Sequence, residues 1–167
     1  MLPISQQLAQ AKMVRMGVAI LAPVPAVIID SALETCTREG AVAFGTNAFE
    51  VFHRVEEEYG TGIPVIVKPT PQYGDPKGYA RMSFSGSFVR FTKANRQGLH
   101  PEPAKRPAVT LSPEDPDTPV YGFWEVSNFQ LMPNQVSLGS LRAVGRKTPL
   151  PATYKFHGPL LVVANFL

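Results

Sequence analysis

The sequence predicts a single α/β domain built from short strands, helices and many turns. A length of 167 residues fits one domain with one hydrophobic core. Hydrophobic residues make up 44% of the chain and charged residues only 17%, a balance that excludes wholesale disorder and argues against a coiled coil. The 17 prolines and 13 glycines follow no period, which excludes collagen and a long-helix bundle and favours short strands joined by turns.

The first elements are a strand followed by a helix. Met16 to Ala22 is continuously apolar and predicts a buried strand that ends at the following prolines. Residues 25–39 predict a helix, because its apolar positions share one face and Gly40 supplies a stop. Cys36 lies on that helix, where we expect a half-buried thiol.

A second strand–helix–strand unit follows. Ala41 to Phe44 is a short apolar strand, and Thr46 or Asn47 is placed to cap the next helix. Apolar side chains recur there at three- and four-residue steps, as one buried helix face requires. Ile63 to Lys68 is rich in β-branched residues and predicts a strand.

The second half of the chain is predicted to be mostly β. Residues 79–84 and 87–91 are candidate strands on either side of Gly86, and residues 120–131 form a longer aromatic strand. The last strand is expected at residues 158–166. Residues 92–118 are polar and rich in proline, and their length predicts a functional or mobile loop.

Positive charge is concentrated in two segments. Residues 61–106 carry eight basic and two acidic side chains, and residues 137–167 carry four basic and none acidic. Basic residues interleaved with aromatic rings can hold phosphates while the rings stack on bases. Ordinary solvated charges on strand edges would give the same pattern, so charge alone does not decide between these interpretations.

The cysteine and histidine content argues against a disulfide framework and against a metal site. Cys36 is the single cysteine, and the three histidines show no ligand spacing. The apolar run over residues 13–29 contains Arg15 and two prolines and is at the lower length limit for a membrane span. We therefore expect a cytoplasmic protein with no membrane association, no cofactor and no metal.

Residues 123–143 carry a resemblance to a known family. They read FWEVSNFQLMPNQVSLGSLRA, an aromatic-led strand, a Met-Pro pair, a Val-Ser-Leu step and a short helix. This order resembles the late strand and turn of the EVE domain, a member of the PUA-like superfamily. Residues 43–49 and the strand at residues 63–68 match the family's early elements more loosely.

The resemblance implies a mostly antiparallel, strongly bent sheet that forms a partly open β-barrel with flanking helices. It divides the chain into a polar tail or short helix at residues 1–12 and one domain at residues 13–167, with the 92–118 loop as an insertion. EVE domains and the related YTH domains read modified bases of DNA or RNA in an aromatic cage. The implied function is therefore non-catalytic recognition of a methylated base, which must be flipped out if it lies in a duplex.

Candidate site residues follow from matching this chain to that pattern. Rings and polar groups for the base are Phe44, Thr46, Asn47, Phe49, Tyr121, Trp124 and Ser127. Arginines for the phosphates are Arg81, Arg90, Arg142 and Arg146. Three of these residues have a structural alternative, namely core packing for Phe49 and Trp124 and helix capping for Asn47.

Two other classes of function stay open. A protein-interaction module, such as a small phage or defence-system component, would use the 92–118 loop and the apolar carboxy-terminal residues. A nuclease-like enzyme of a related fold is the other alternative, although no nucleophile elbow or phosphate-binding glycine loop is present. His100 near Glu102 is the one candidate acid–base pair, and we expect no catalytic residues.

Overall fold

Strands and helices alternate in the first half of the chain, and strands dominate the second half. The computed structural model describes residues 3–4, 17–111 and 119–164. The strands are β1 (Val18–Pro25), β2 (Val42–Thr46), β3 (Pro64–Thr70), β4 (Phe84–Lys93), β5 (Gly122–Leu131), β6 (Leu141–Ala143) and β7 (Leu160–Ala164). The helices are α1 (Ile29–Glu39) and α2 (Glu50–Glu58), accompanied by short 3-10 turns.

All seven strands belong to one sheet of order β2-β5-β4-β3-β1-β7-β6. The β1–β3 pair is parallel, and the other five recorded pairs are antiparallel. The mixed α/β class and the mostly antiparallel sheet are therefore confirmed.

The sheet is not closed by strand pairing, since β2 and β6 are its two edges. The turn before α2 lies close to the turn before β7, where a Cβ added to Gly158 would be 3.3 Å from that of Ala48. Within the residues described, the predicted barrel is thus an open sheet, and closure is not confirmed.

The central strand β1 is buried on both faces, which explains its continuous apolar sequence. It extends through Pro23 and Pro25 rather than stopping before them. The neighbouring strand β7 pairs only with Val18 to Leu21, so the two prolines lie where that side of β1 has no ladder partner. Proline has no N–H to donate, and this costs no ladder hydrogen bond on a side of the strand that has no neighbouring strand.

The two faces of the sheet carry different hydrophobic clusters. Both helices pack on the larger one, through Ile29 and Cys36 of α1 and Phe52 of α2. Val136, Leu150 and neighbours from the segments flanking β6 form the smaller cluster on the other face. Successive residues of β1 pack alternately into the two clusters, because side chains of a strand point to opposite faces in turn.

Helix α1 agrees with the sequence prediction, and the start of α2 does not. Gly40 ends α1 with a φ of 80° and donates its N–H to the Cys36 carbonyl. Helix α2 begins only after Phe49, with no side-chain cap. Thr46 instead accepts the N–H of Ala48, and Asn47 accepts the N–H of Tyr121. The predicted capping roles are therefore wrong, because the helix starts too far along the chain.

Two further predictions need correction or lie outside the description. Tyr79–Arg81 is a 3-10 turn rather than a strand, and Asp75 fixes it by accepting the backbone N–H groups of Tyr79 and Ala80. Residues 94–111 of the proline-rich loop contain two short 3-10 turns. The rest of that loop, residues 112–118, and nearly all of the predicted 1–12 tail lie outside the described residues. A search of the described helices for one of membrane-spanning length and apolarity finds no candidate.

Candidate functional site

Two of the predicted base-binding rings, Phe44 and Trp124, form a cross-strand pair between β2 and β5. Their centroids are 4.7 Å apart at 38°, and Trp124 also lies nearly parallel to the Phe52 ring of α2. Trp124 is only 2% exposed. Both rings are consequently core residues whose rims alone reach the surface, and a base cannot enter between them while they remain in contact.

Those rims line a cavity of about 570 Å³ on the side of the sheet where β1 and β2 end. This size lies within the range of small-molecule binding sites. Among the described residues its lining is apolar and aromatic except for one arginine and one threonine, and none of them is a carboxylate. The residues are Pro23, Val24, Pro25, Val27, Ile28, Phe44, Gly45, Tyr73, Arg106, Val109, Thr110, Val120 and Trp124. We call this space the Trp124 cavity.

Tyr73 contributes the most accessible ring of the Trp124 cavity. It is 79% exposed and has a φ of 66°, a left-handed conformation that a bulky residue rarely adopts. The turn is closed by the Gly74 N–H, which donates to the Pro71 carbonyl. An exposed aromatic face on a cavity wall is suited to stacking with a planar ligand.

Arg106 brings a cationic group to the same cavity. Its Nη1 donates to the Ala43 carbonyl, and its guanidinium lies 5.0 Å from the centroid of the Phe123 ring. The Thr35 hydroxyl donates to its backbone carbonyl. The side chain is therefore buried and held by contacts to β2 and β5, while α1 contacts the backbone of the same residue.

A buried carboxylate holds the segment that carries Arg106. Glu125 lies between Trp124 and Val126 on β5 and therefore points to the opposite face of the strand. Its carboxylate accepts hydrogen bonds from Thr92, from His100 Nε2 at 3.2 Å and from Lys105 Nζ at 3.2 Å. His100 Nδ1 accepts the backbone N–H of Glu102, so Nε2 carries the proton that the ring donates.

The charge state of Glu125 follows from these partners. Burial alone would raise its pKa, but the hydrogen bonds from His100, Thr92 and Lys105 outweigh burial and lower the pKa to about 2. With 1% of its surface exposed and its oxygens already bonded, the carboxylate is placed to fasten the 92–106 segment to β5. It is not placed to reach a ligand.

The remaining predicted rings, Phe49 and Tyr121, lie at the turn between β2 and α2. They stack on each other at 4.4 Å and continue through His53 and Phe91 into a four-ring surface cluster. A base sandwiched between two rings needs them about 7 Å apart, twice the contact distance of about 3.5 Å. Phe49 and Tyr121 therefore form a self-stacked pair, and the only face they can offer is the outer one.

The other predicted polar and basic residues do not gather around the Trp124 cavity. Ser127 is half-buried opposite Ser87 in the β4–β5 ladder. Arg90 lies 3.7 Å from the Glu125 carboxylate, whereas Arg142 is on β6, with three strands between β4 and β6. Arg81 is exposed in its 3-10 turn, and Arg146 is exposed beyond β6. None of these four arginines lines the cavity.

Several basic residues of segment 61–106 are paired with other groups of the protein. Lys77 pairs with Asp30, while Lys105 joins Arg90 at Glu125. Lys68 is buried, and its ammonium donates to the Val136 carbonyl at 3.1 Å; burial lowers the pKa of this lysine. The excess positive charge of this segment therefore gives less free cationic surface than its composition suggests.

The candidate acid–base pair is arranged differently from the prediction. His100 contacts the Glu125 carboxylate and only the backbone of Glu102. Across residues 3–4, 17–111 and 119–164, no group of three His, Cys, Asp or Glu side chains is placed to hold a metal ion.

Three residues of this region were not among the predicted site residues. Glu125 has a visible sequence signal, a single charge inside the apolar run FWEV. Tyr73 is an aromatic residue in a turn flanked by proline and glycine, a weaker signal. Arg106 has none, because it is one of eight basic residues in its segment and only the fold brings it to Trp124.

The chain matches no protein-family model, and neither a search of curated proteins nor a search of solved structures finds a match.

Proposed function

We propose that the chain is a non-catalytic nucleic-acid-binding module that takes one base of DNA or RNA into the Trp124 cavity. The observation that carries the proposal is the meeting of the exposed Tyr73 ring, the rims of Phe44 and Trp124, and the Arg106 guanidinium in one cavity, where the described lining residues include no carboxylate. The EVE-like resemblance of residues 123–143 supports the same class of ligand.

The chemistry of the cavity suits a base. A ring stacked on Tyr73 gains about 1–3 kcal/mol, and the Arg106 guanidinium adds a positive charge to the cavity wall. Val27, Val109 and Val120 provide an apolar wall against which a base methyl group would be removed from water, at about 0.8 kcal/mol per buried carbon. These terms favour a methylated base over its unmodified form.

Trp124 is the only tryptophan, so its fluorescence reports directly on the cavity. We expect quenching on titration with free nucleosides, stronger for methylated cytidine or methylated adenosine than for the parent compounds. Nucleosides carry no phosphate, so binding should change little with salt. Single-stranded oligonucleotides carrying the same bases then test recognition within a chain.

Tyr73→Asn is the informative variant, because asparagine tolerates a positive φ and the ring is lost without straining the turn. We expect at least tenfold weaker nucleoside binding, about 1.4 kcal/mol, with an unchanged melting temperature. Tyr121→Ser is the matched control, since it removes the exposed ring of the other cluster. Equal loss in both variants, or no quenching by any nucleoside, would refute base binding in this cavity.

A second candidate function is protein interaction through the same rim. Val27 and Val109 are 44% and 50% exposed beside Tyr73, and exposed apolar residues grouped around a cavity are typical of docking surfaces. Val109 lies in the 92–118 loop expected to contact a partner. Photo-crosslinking from V109C in extract would support this function if the adducts resist nuclease, form at lower yield with Tyr73→Asn and contain one recurring protein.

A further inference from the structure

One basic surface whose cations take no part in the ion pairs of the described residues lies at the β6 edge of the sheet. Residues 137–167 contain no aspartate or glutamate, so none of their four basic side chains has an acidic neighbour in its own segment. The ion pairs recorded for the described residues include neither Arg142 nor Lys147. These two cations differ in this respect from Lys77, Arg90 and Lys105.

Arg142 and Lys147 line the same cavity of about 470 Å³. Ser140, Pro149 and Val163 form other parts of its wall, and the described lining residues include no carboxylate. Two cations that share a concave surface reinforce each other's potential, because the low-dielectric wall focuses the field into the opening. We call this space the β6 cavity.

Arg142 is held in position within the β6 cavity. Its backbone pairs with Val163 of β7, and its Nη1 donates to the Arg146 carbonyl at 2.6 Å. One of the five guanidinium N–H groups is thus used to fix the side chain, and the planar fork keeps further donors for a ligand. Lys147 is exposed and adds a flexible second charge.

We propose that the β6 cavity is a phosphate-binding site. A fixed arginine and a mobile lysine are the pair of groups that recognise a tetrahedral oxyanion, the first by paired N–H···O bonds and the second as a point charge. The ligand is a phosphate group, either free or as the phosphodiester of a nucleic acid backbone. The site uses no residue of the Trp124 cavity and does not depend on base binding.

Two probes distinguish the sources of phosphate. Inorganic phosphate is titrated into the full chain while the backbone amide resonances of residues 139–147 are followed by NMR. A dye-labelled abasic single-stranded oligonucleotide, which has backbone but no bases, is titrated by fluorescence anisotropy at several salt concentrations. Arg142→Gln and Lys147→Gln test the cavity, and Lys155→Gln is the control with the same charge change elsewhere in the acid-free segment.

We expect phosphate to shift these resonances and Lys147→Gln to weaken binding at least fivefold, with Lys155→Gln within twofold of wild type. For the oligonucleotide, Lys147→Gln should reduce the slope of log K against log salt by about 0.7. Binding of phosphate without the abasic strand assigns the site to a free phosphate group, and binding of both assigns it to the nucleic acid backbone. Binding of neither, or equal weakening by Lys155→Gln, would overturn the proposal.

Failure of this site and failure of base binding are separable, since nucleosides lack phosphate and the abasic strand lacks bases. Lys147 is exposed and has no recorded structural contact, so its variant should fold even if Arg142→Gln does not. A melting curve of each variant checks this.

Discussion

Replacing Glu125 by glutamine should strongly destabilise the protein at neutral pH. Glutamine keeps the size of the side chain, but its amide NH₂ faces donors where the carboxylate accepted hydrogen bonds from Thr92, His100 and Lys105. At least one buried donor loses its acceptor, and the Lys105 ammonium loses its buried counter-charge. Loss of one partner in such a network typically costs about 3–5 kcal/mol.

The pKa of Glu125 gives an independent magnitude. Folding lowers it from 4.5 to about 2, and each pKa unit corresponds to about 1.36 kcal/mol. The ionised carboxylate therefore contributes about 3 kcal/mol to the free energy of unfolding at pH 7. Because the folded-state pKa is the lower one, this contribution is complete above about pH 5 and is lost as the pH falls towards 2.

Chemical denaturation at several pH values measures both quantities. The free energy of unfolding of the wild type should exceed that of Glu125→Gln by about 3 kcal/mol at pH 7. At pH 3, one unit above the folded-state pKa, the difference should be only about 1.4 kcal/mol. Glu102→Gln is the matched control, because Glu102 also contacts Lys105, at 3.6 Å, but has a largely exposed side chain; it should stay within about 0.5 kcal/mol of wild type.

Two results would refute this reasoning. A loss below about 1 kcal/mol at pH 7 would mean that the network is not buried as described. A loss that is equal at pH 7 and pH 3 would mean that the effect comes from packing rather than from the ionised carboxylate. If the network fastens the 92–106 segment, amide exchange in Glu125→Gln should also increase there more than in β1.

Two further predictions concern the sheet and the turn beside it. Gly86→Ala should destabilise the protein by about 1–3 kcal/mol, because the new Cβ would lie 2.2 Å from Val126 Cγ1 and 2.9 Å from the Ser127 carbonyl oxygen. Gly139→Ala is the control and should be near neutral, because nothing lies within 4 Å of its Cβ position. Equal melting temperatures of the two variants would contradict this prediction. Asn47→Ala should lower the free energy of unfolding in denaturant by about 1 kcal/mol, because it removes the acceptor of the Tyr121 N–H. Asn47→Asp keeps an acceptor and should retain most of the stability. An equal loss of stability in both variants would exclude the hydrogen bond as the cause.

The sequence was informative about elements whose apolar pattern is local. Helix α1, strand β3 and the long strand β5 lie close to where periodicity predicts them. Burial imposes a period of 3.6 on a helix face and a period of two or a continuous run on a strand, and both are readable within a dozen residues. The elements misplaced from sequence are those governed by distant partners, such as the turn before α2, where Asn47 bonds to Tyr121 rather than to its own helix.

Candidate site residues followed the same division. Phe44, Trp124, Tyr121 and Phe49 were found as aromatic residues. Which rings pair, and that the rings of each pair already contact each other, depends on how β2 and β5 come together. Arg106 reaches the Trp124 cavity only because its segment crosses β5 and is fastened there by Glu125. Whether a basic residue is free or internally paired is likewise a property of its neighbours in space.

The sequence by itself therefore determined the fold class, the mostly β second half and the supply of aromatic and basic residues. Its composition and hydrophobic periods fix which segments must be buried and in what local conformation. Only the tertiary structure decided which side chains meet: the open sheet, the Tyr73–Arg106–Trp124 cavity, the ion pairs made by part of the basic segment 61–106, and the β6 cavity. Contacts between residues far apart in the chain depend on strand order and register, and no local pattern encodes these.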